Sequence, residues 1–333
     1  MTAAARAAGG DGSSESLVRA IGTFGLAAAI INITLGGGIF RLRASVAGPL
    51  GAAAPVAYVV CALAMTLIVL CIADAGSRVS LTGGPYAYIA TAFGGYAGFV
   101  SGVLLWMVGL FATAAVSTVF AAGLGVLVPA LAGRVMEGVT IAAALAFWTI
   151  VNARGVQLGN RMNGIATVAK LLPLVLLAVG GLFFIEPANL AWTAPPPAGD
   201  VIRTSLLLIF AFAGIEVALV PSGEVRNPSR TVPRGIALAM GGITLLYILL
   251  QVVAQGVLGT ALPASTASPL ADAARLSLGG WAGALLLVGA SVSMFGYLGG
   301  MTLSMPRMVY AFARDGYLPR MFAAIDARTH APV

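Results

Sequence analysis

The sequence predicts an all-α polytopic membrane protein with about eight transmembrane helices. Three observations carry this. Only 9% of the 333 residues are charged, against about 25% in a soluble globular chain. Hydrophobic residues make up 59% of the chain and the mean hydropathy is +0.99. No water-facing exterior can be built from that composition, whereas a bilayer removes the need for one. The apolar residues also fall into runs of roughly 20, the length that crosses a hydrocarbon core.

Residues 1–18, rich in Ala, Gly and Ser, read as a disordered cytoplasmic N-terminus. The apolar run behind them is too long for a signal-peptide core. Spans follow at 20–40 and 52–73. The stretch 78–134 has no charge between its two terminal arginines and is long enough for two spans. Arginine placement decides between one and two. A single span there puts 12 of the 17 arginines on one side of the membrane and five on the other, whereas two spans give six against 11. The positive-inside rule then favours one span and a cytoplasmic N-terminus, with 83–95 as a re-entrant or interfacial lead-in. Further spans are read at 138–152 and 162–185, a Pro-rich loop at 186–200, spans at 204–221, 235–259 and 278–305, and a basic tail at 307–333.

Several function classes are excluded. The net charge of +7 forms no basic stripe that would meet nucleic acid phosphates. His330 is the only histidine, so no metal constellation is expected. There is no phosphate-cradling glycine loop, nucleophile elbow or paired catalytic carboxylate, so neither an enzyme nor a cofactor is expected. Cys61 and Cys71 would stand about 15 Å apart along one helix, too far to bridge.

Four features carry chemistry. Gly36, Gly37 and Gly38 interrupt the first span, each weakening a helix by about 1 kcal/mol relative to Ala. Such a break survives in a membrane where it lines a cavity, and the N–H groups opening the next half-helix suit an anion. Close packing through small residues is the alternative. In the sixth span, Gly214 stands beside Glu216, with Phe210 nearby as a candidate gate. A carboxylate at mid-membrane costs at least about 2.5–3.5 kcal/mol, so Glu216 should face the bundle interior, holding unwound backbone or meeting substrate or proton. Lys170, the only lysine, lies inside the fifth span, where a buried amine can cycle a proton or act as a fixed structural cation. Ser291 and Ser293 offer hydroxyls in the eighth span. The segment 224–234 is a compact basic loop, a topology signal and helix cap or a gating salt bridge. Interruptions in two spans five apart in order point to a transporter site.

These residues resemble the amino acid–polyamine–organocation transporter superfamily, in its bacterial amino acid permease branch. The likeness rests on Gly36-Gly37-Gly38-Ile39-Phe40, Thr82-Gly83-Gly84-Pro85-Tyr86-Ala87-Tyr88, Phe210-Ala211-Phe212-Ala213-Gly214-Ile215-Glu216, the pattern E-x-x-N-P-x-R-x-x-P-R from Glu224 to Arg234, and Arg314-Asp315-Gly316-Tyr317-Leu318-Pro319.

The resemblance implies a 5+5 inverted-repeat fold with helices one and six broken at the centre. The first repeat would be 19–185, the first three helices of the second 201–306, and 307–333 a cytoplasmic tail. It implies secondary active transport of an amino acid or related amine across the bacterial inner membrane by alternating access, with proton coupling (symport) or exchange without sodium. A substrate carboxylate would meet the N–H groups of Gly36, Gly37 and Gly38. The amine would meet carbonyls near Ile33 and Thr34 and near Phe210, Ala211 and Ala213, beside Gly214. Lys170 would stand where sodium-coupled relatives hold sodium, with Ser291 or Ser293 close by and Glu216 in the gating and coupling set. Arg43 replaces a common proline. Helices nine and ten have no counterpart, so a C-terminally truncated permease is expected. The competing reading is a non-transporting membrane sensor or inert fragment.

Overall fold

The computed structural model describes residues 19–79, 81–192, 194–326, 328–329 and 331. The segment 1–18 and His330 lie outside the described residues. Twelve α-helices follow one another in the rest, with short 3-10 turns between them and no strand among the described residues.

The first span is two helices. α1 (Thr23–Thr34) stops where three glycines follow Leu35, and α2 (Gly38–Leu50) starts in line with their end. α3 (Ala54–Arg78) opens on Pro55, a residue suited to a first helical turn. The charge-free stretch 78–134 holds one short helix, α4 (Pro85–Phe93), and one long one, α5 (Gly95–Leu127). α6 (Arg134–Ala153) and α7 (Val156–Gly180) complete the first half. The sixth span is again split, into α8 (Ala198–Phe212) and the single turn α9 (Ile215–Ala218). α10 (Pro228–Leu258), α11 (Pro269–Leu278) and α12 (Gly280–Arg314) finish the chain.

Seven helical stretches are long and apolar enough to cross a membrane, and α1 is a shorter apolar helix beside them. The protein is a multi-pass membrane protein. α5 and α12, at 33 and 35 residues, are about 50 Å long. They exceed a hydrocarbon core of about 30 Å and must tilt or project.

α1 sits at the centre, packed against α7, α10 and α12, while α3 covers α8 and α10. Leu26, Ile30, Phe212, Tyr247 and Leu298 are fully enclosed there. The outer faces of α5 and α7 present Leu104, Leu110, Phe111, Val168 and Leu172, as a surface bathed in lipid chains requires.

Two span ends and one helix differ most from the sequence reading. The first span runs on to Leu50 rather than stopping at 40, because Arg43 is buried inside the protein, not placed in a loop. The last span runs to Arg314 rather than 305. Arg307, read as the start of a tail, is enclosed with Glu224. α11 was unforeseen. It is a ten-residue amphipathic helix covering α12.

Candidate functional site

The two helix breaks face each other. Leu35 N–H closes the last turn of α1 on the Ile31 carbonyl, and Gly36 N–H folds back onto Thr34 O, both at 2.9 Å. The N–H groups of Gly37, Gly38 and Ile39 make none of the described hydrogen bonds. They are the free donors expected at the start of a helix. Across from them, Ala213 N–H ends α8 on Ile209 O, and Gly214 turns the chain at φ +119°, a conformation that only glycine adopts readily. A methyl group at Gly214 would stand 2.8 Å from Ile33 Cγ2 and 3.3 Å from the Thr34 nitrogen. The carbonyls of Ile33, Phe210 and Ala213 accept none of the described hydrogen bonds. A cavity of about 90 Å³ lies between the breaks. Its walls include Val108, Ala112, Val116, Tyr297 and Met301.

Two ionisable side chains brace these breaks. Both carboxylate oxygens of Glu216 accept the Gly214 N–H at 3.0 Å. The half-buried acid thus caps its own helix start, a favourable place for a negative charge. Lys170 is fully enclosed, and its Nζ donates to the carbonyls of Asn32 at 2.7 Å, Leu35 at 2.9 Å and Ser293 at 3.4 Å. Ser293 Oγ donates to the same Leu35 carbonyl at 2.5 Å. Carbonyls that α1 leaves unpaired at its end are therefore consumed by an ammonium group and a hydroxyl. Asn32 extends the network, donating to Asn163 Oδ1 at 3.0 Å and Gly296 O at 2.6 Å.

A larger cavity of about 340 Å³ reaches from Gly37 and Phe40 past Met294 and Ser291 to Ala267. Elsewhere, two polar pairs join α12 to other elements. Arg307 Nε donates to Glu224 Oε1 at 2.6 Å, with both side chains almost completely buried, and Tyr86 donates its hydroxyl to Asp315 at 2.7 Å. The Glu224 carbonyl also accepts the N–H groups of Ala20 and Ile21. The start of α1 is thus fastened to the residue that pairs with α12. No group of three or more His, Cys, Asp or Glu able to hold a metal lies among the described residues.

The pattern that defines the amino acid permease family matches residues 21–333. This chain belongs to the amino acid permease family. The permease is 27% identical to a methylthioribose transporter of Bacillus subtilis (strain 168), over 96% of the present chain and 72% of that protein. It is 28% identical to a cadaverine/lysine antiporter of Escherichia coli (strain K12), over 94% and 71% of the two chains. It is 26% identical to a branched-chain amino acid permease, BcaP, of Bacillus subtilis (strain 168), over 96% and 72%. The family is one of transporters, not enzymes.

In the permease, the cavity between the breaks gathers Ile33, Thr34, Gly36, Gly37, Gly38, Phe210, Ala211, Ala213, Gly214 and Glu216. Two of these backbone positions are already engaged. The Ala211 carbonyl takes the Tyr247 hydroxyl at 2.7 Å, and the Thr34 carbonyl takes Gly36 N–H. Phe210 is 64% exposed, so it borders the cavity without closing it. Lys170 and Ser293 lie behind α1, one layer from the cavity. Ser291 is not with them: its hydroxyl turns to Leu287 O on its own helix, and it lines the larger cavity instead. Sequence reasoning missed Asn32, Tyr247, Tyr297 and Arg307. Only Asn32 carried a usable signal, an amide two residues before the end of an otherwise apolar run.

Proposed function

We propose that this chain carries the substrate site of a secondary active transporter for a neutral amino acid or related amine, working by alternating access. One observation supports this above the others. Gly37 and Gly38, whose N–H groups make none of the described hydrogen bonds, line one cavity together with Ile33, Phe210 and Ala213, whose carbonyls accept none. A zwitterion presents the complementary pair, a carboxylate for the donors and an ammonium for the acceptors. Irregular backbone at the centre of a membrane is tolerated where it lines such a site.

The walls favour a neutral side chain. Val108, Ala112, Val116, Val217 and Met301 are apolar. Glu216 is committed to Gly214, and Lys170 and Arg43 are buried cations without an acid partner among the described residues. A second positive charge on the substrate finds no counterpart. The relatives' printed names span a thio-sugar, a diamine with lysine, and branched-chain amino acids, so the local walls rather than the family set the choice.

Coupling to protons is assigned to Lys170. Its ammonium ties the end of α1 to α12 through Leu35 and Ser293, and loss of its proton frees both elements to part. This is the symport reading, set in a bacterial inner membrane with the N-terminus on the cytoplasmic side. Two of the arginines used to assign sides, Arg43 and Arg307, are buried. Leaving them out keeps the excess, 12 − 1 = 11 against 5 − 1 = 4.

The test is equilibrium binding of radiolabelled L-alanine, L-leucine, L-lysine, L-glutamate and cadaverine to purified chain in detergent, followed by uptake into proteoliposomes under a pH gradient. Saturable binding of alanine or leucine is expected, with Gly37→Leu abolishing it. Gly37 has a helical φ of −66°, and a Cβ there would meet only Met294 Sδ, at 4.0 Å, so leucine blocks the site without straining the backbone. Failure of a folded sample to bind any of the five would overturn the assignment in favour of a non-transporting membrane component.

A further inference from the structure

Arg43 is a buried cation in α2 with no carboxylate partner among the described ion pairs. Its company is aromatic. Nη1 donates to the Tyr58 hydroxyl, and the guanidinium carbon lies 5.0 Å from the Tyr58 ring centre and 5.1 Å from that of Tyr247. A desolvated guanidinium over two ring faces is attracted electrostatically by both. Tyr247 is held on another side by Phe212, edge to face at 5.1 Å. Three elements therefore fix the position of one phenol: α2 through Arg43, α3 through Tyr58, and α8 through Phe212.

The hydroxyl they aim carries a single proton. It bonds to Ala211 O at 2.7 Å, in the last turn of α8, and stands 3.5 Å from Thr34 O, the last residue of α1. Those two carbonyls belong to the two separate helix breaks. No other side-chain hydroxyl among the described residues reaches both. We infer that Tyr247 is a positioning residue that ties the two breaks to each other, with Arg43 as the cation that holds it in place. The inference rests on the substrate site proposed above.

The arrangement does two things. It occupies the Ala211 carbonyl, leaving Phe210, Ala213 and Ile33 as the acceptors that face the cavity. It also sets the distance between the acceptors of α8 and those of α1, both of which an ammonium must touch at once. α2 joins this linkage only through Arg43, five residues beyond Gly38, and the hydroxyl touches neither Gly37 nor Gly38. Tyr247 thus acts on the amine end of a substrate and not on the carboxylate end.

The experiment compares the parent chain with Tyr247→Phe and Arg43→Met, in full length and in detergent. Tyr247→Phe keeps the ring and loses only the hydroxyl. Radiolabelled L-leucine is competed with unlabelled leucine and with its deaminated analogue 4-methylpentanoate. Loss of the tether is expected to weaken leucine about three- to tenfold, the value of one hydrogen bond, while 4-methylpentanoate is unchanged. A purely structural role would weaken both together, and that result overturns the assignment. Amide hydrogen exchange on ligand-free protein provides a second reading that does not depend on the substrate site. Exchange should quicken in 34–36 and 211–217 together in both variants. Exchange at parental rates in both segments would overturn the tether even if leucine fails to bind any form, whereas absence of binding by the parent alone counts against the proposed site.

Discussion

Replacing Gly214 with alanine tests the contact on which the whole site depends. The residue sits at φ +119°, and a non-glycine side chain there costs about 1–3 kcal/mol. The new methyl would meet Ile33 Cγ2 at 2.8 Å, the Ile33 carbonyl carbon at 3.3 Å and the Thr34 nitrogen at 3.3 Å. The Ile33 side chain can rotate away, but the backbone atoms can yield only if the end of α1 moves, and overpacking of this kind costs a further 1–3 kcal/mol or so. The total is about 2–6 kcal/mol, and even its lower end corresponds to roughly a 30-fold loss of affinity when the strain is relieved by parting the breaks. The assay is leucine binding and thermal melting in the same detergent, with Gly164→Ala as control. Gly164 lies within α7 with nothing within 4 Å, so alanine there should leave binding intact and melting unchanged or slightly raised. A Gly214→Ala chain that melts and binds like the parent would refute the reasoning, because the two breaks could not then be in the contact described.

Lys170→Met should remove the pH dependence of uptake while substrate binding persists. Uptake that stays active with its parental pH profile would dismiss Lys170 from coupling. Arg307→Met leaves Glu224 buried without a partner and should cost about 3–5 kcal/mol in unfolding free energy, read by thermal or denaturant unfolding. Adding Glu224→Gln should return much of that loss, since no charge then remains buried; a double variant no more stable than the single would show that the pair is not the source of the loss. Gly37→Leu should bind no substrate yet melt like the parent, and a lowered melting temperature would mean that the position serves packing rather than access.

The glycine runs made both breaks legible, because three successive poor helix formers and a Gly beside an intramembrane acid are local signals. The ends of the spans were not. A charge reads as a span limit when its partner is unseen. Arg43 is held against tyrosines at 58 and 247, and Arg307 is paired with an acid 83 residues earlier. Both helices consequently extend further than their hydropathy suggests. Ser291 and Ser293 illustrate a finer limit. Two residues along a helix turn through about 200°, so only one can face Lys170, and choosing it requires knowing how α12 is rotated. Lys170 stood out as the only lysine, but its acceptors are backbone carbonyls, which no residue pattern advertises.

The buried ion pair between Glu224 and Arg307 also bears on how the chain is made. A lone guanidinium is expelled from a hydrocarbon interior at a cost of at least about 2.5–3.5 kcal/mol, and α12 carries one seven residues before its last. Synthesis runs from the N-terminus, so the acid, 83 residues upstream, has left the ribosome before the arginine appears. The late helix therefore enters a bilayer in which its counter-ion is already anchored between α9 and α10. That order makes the acid an internal receptor for α12. A chain lacking Glu224 would then fail first at assembly, as a helix stalled at the membrane surface and open to proteolysis, before any question of turnover arises.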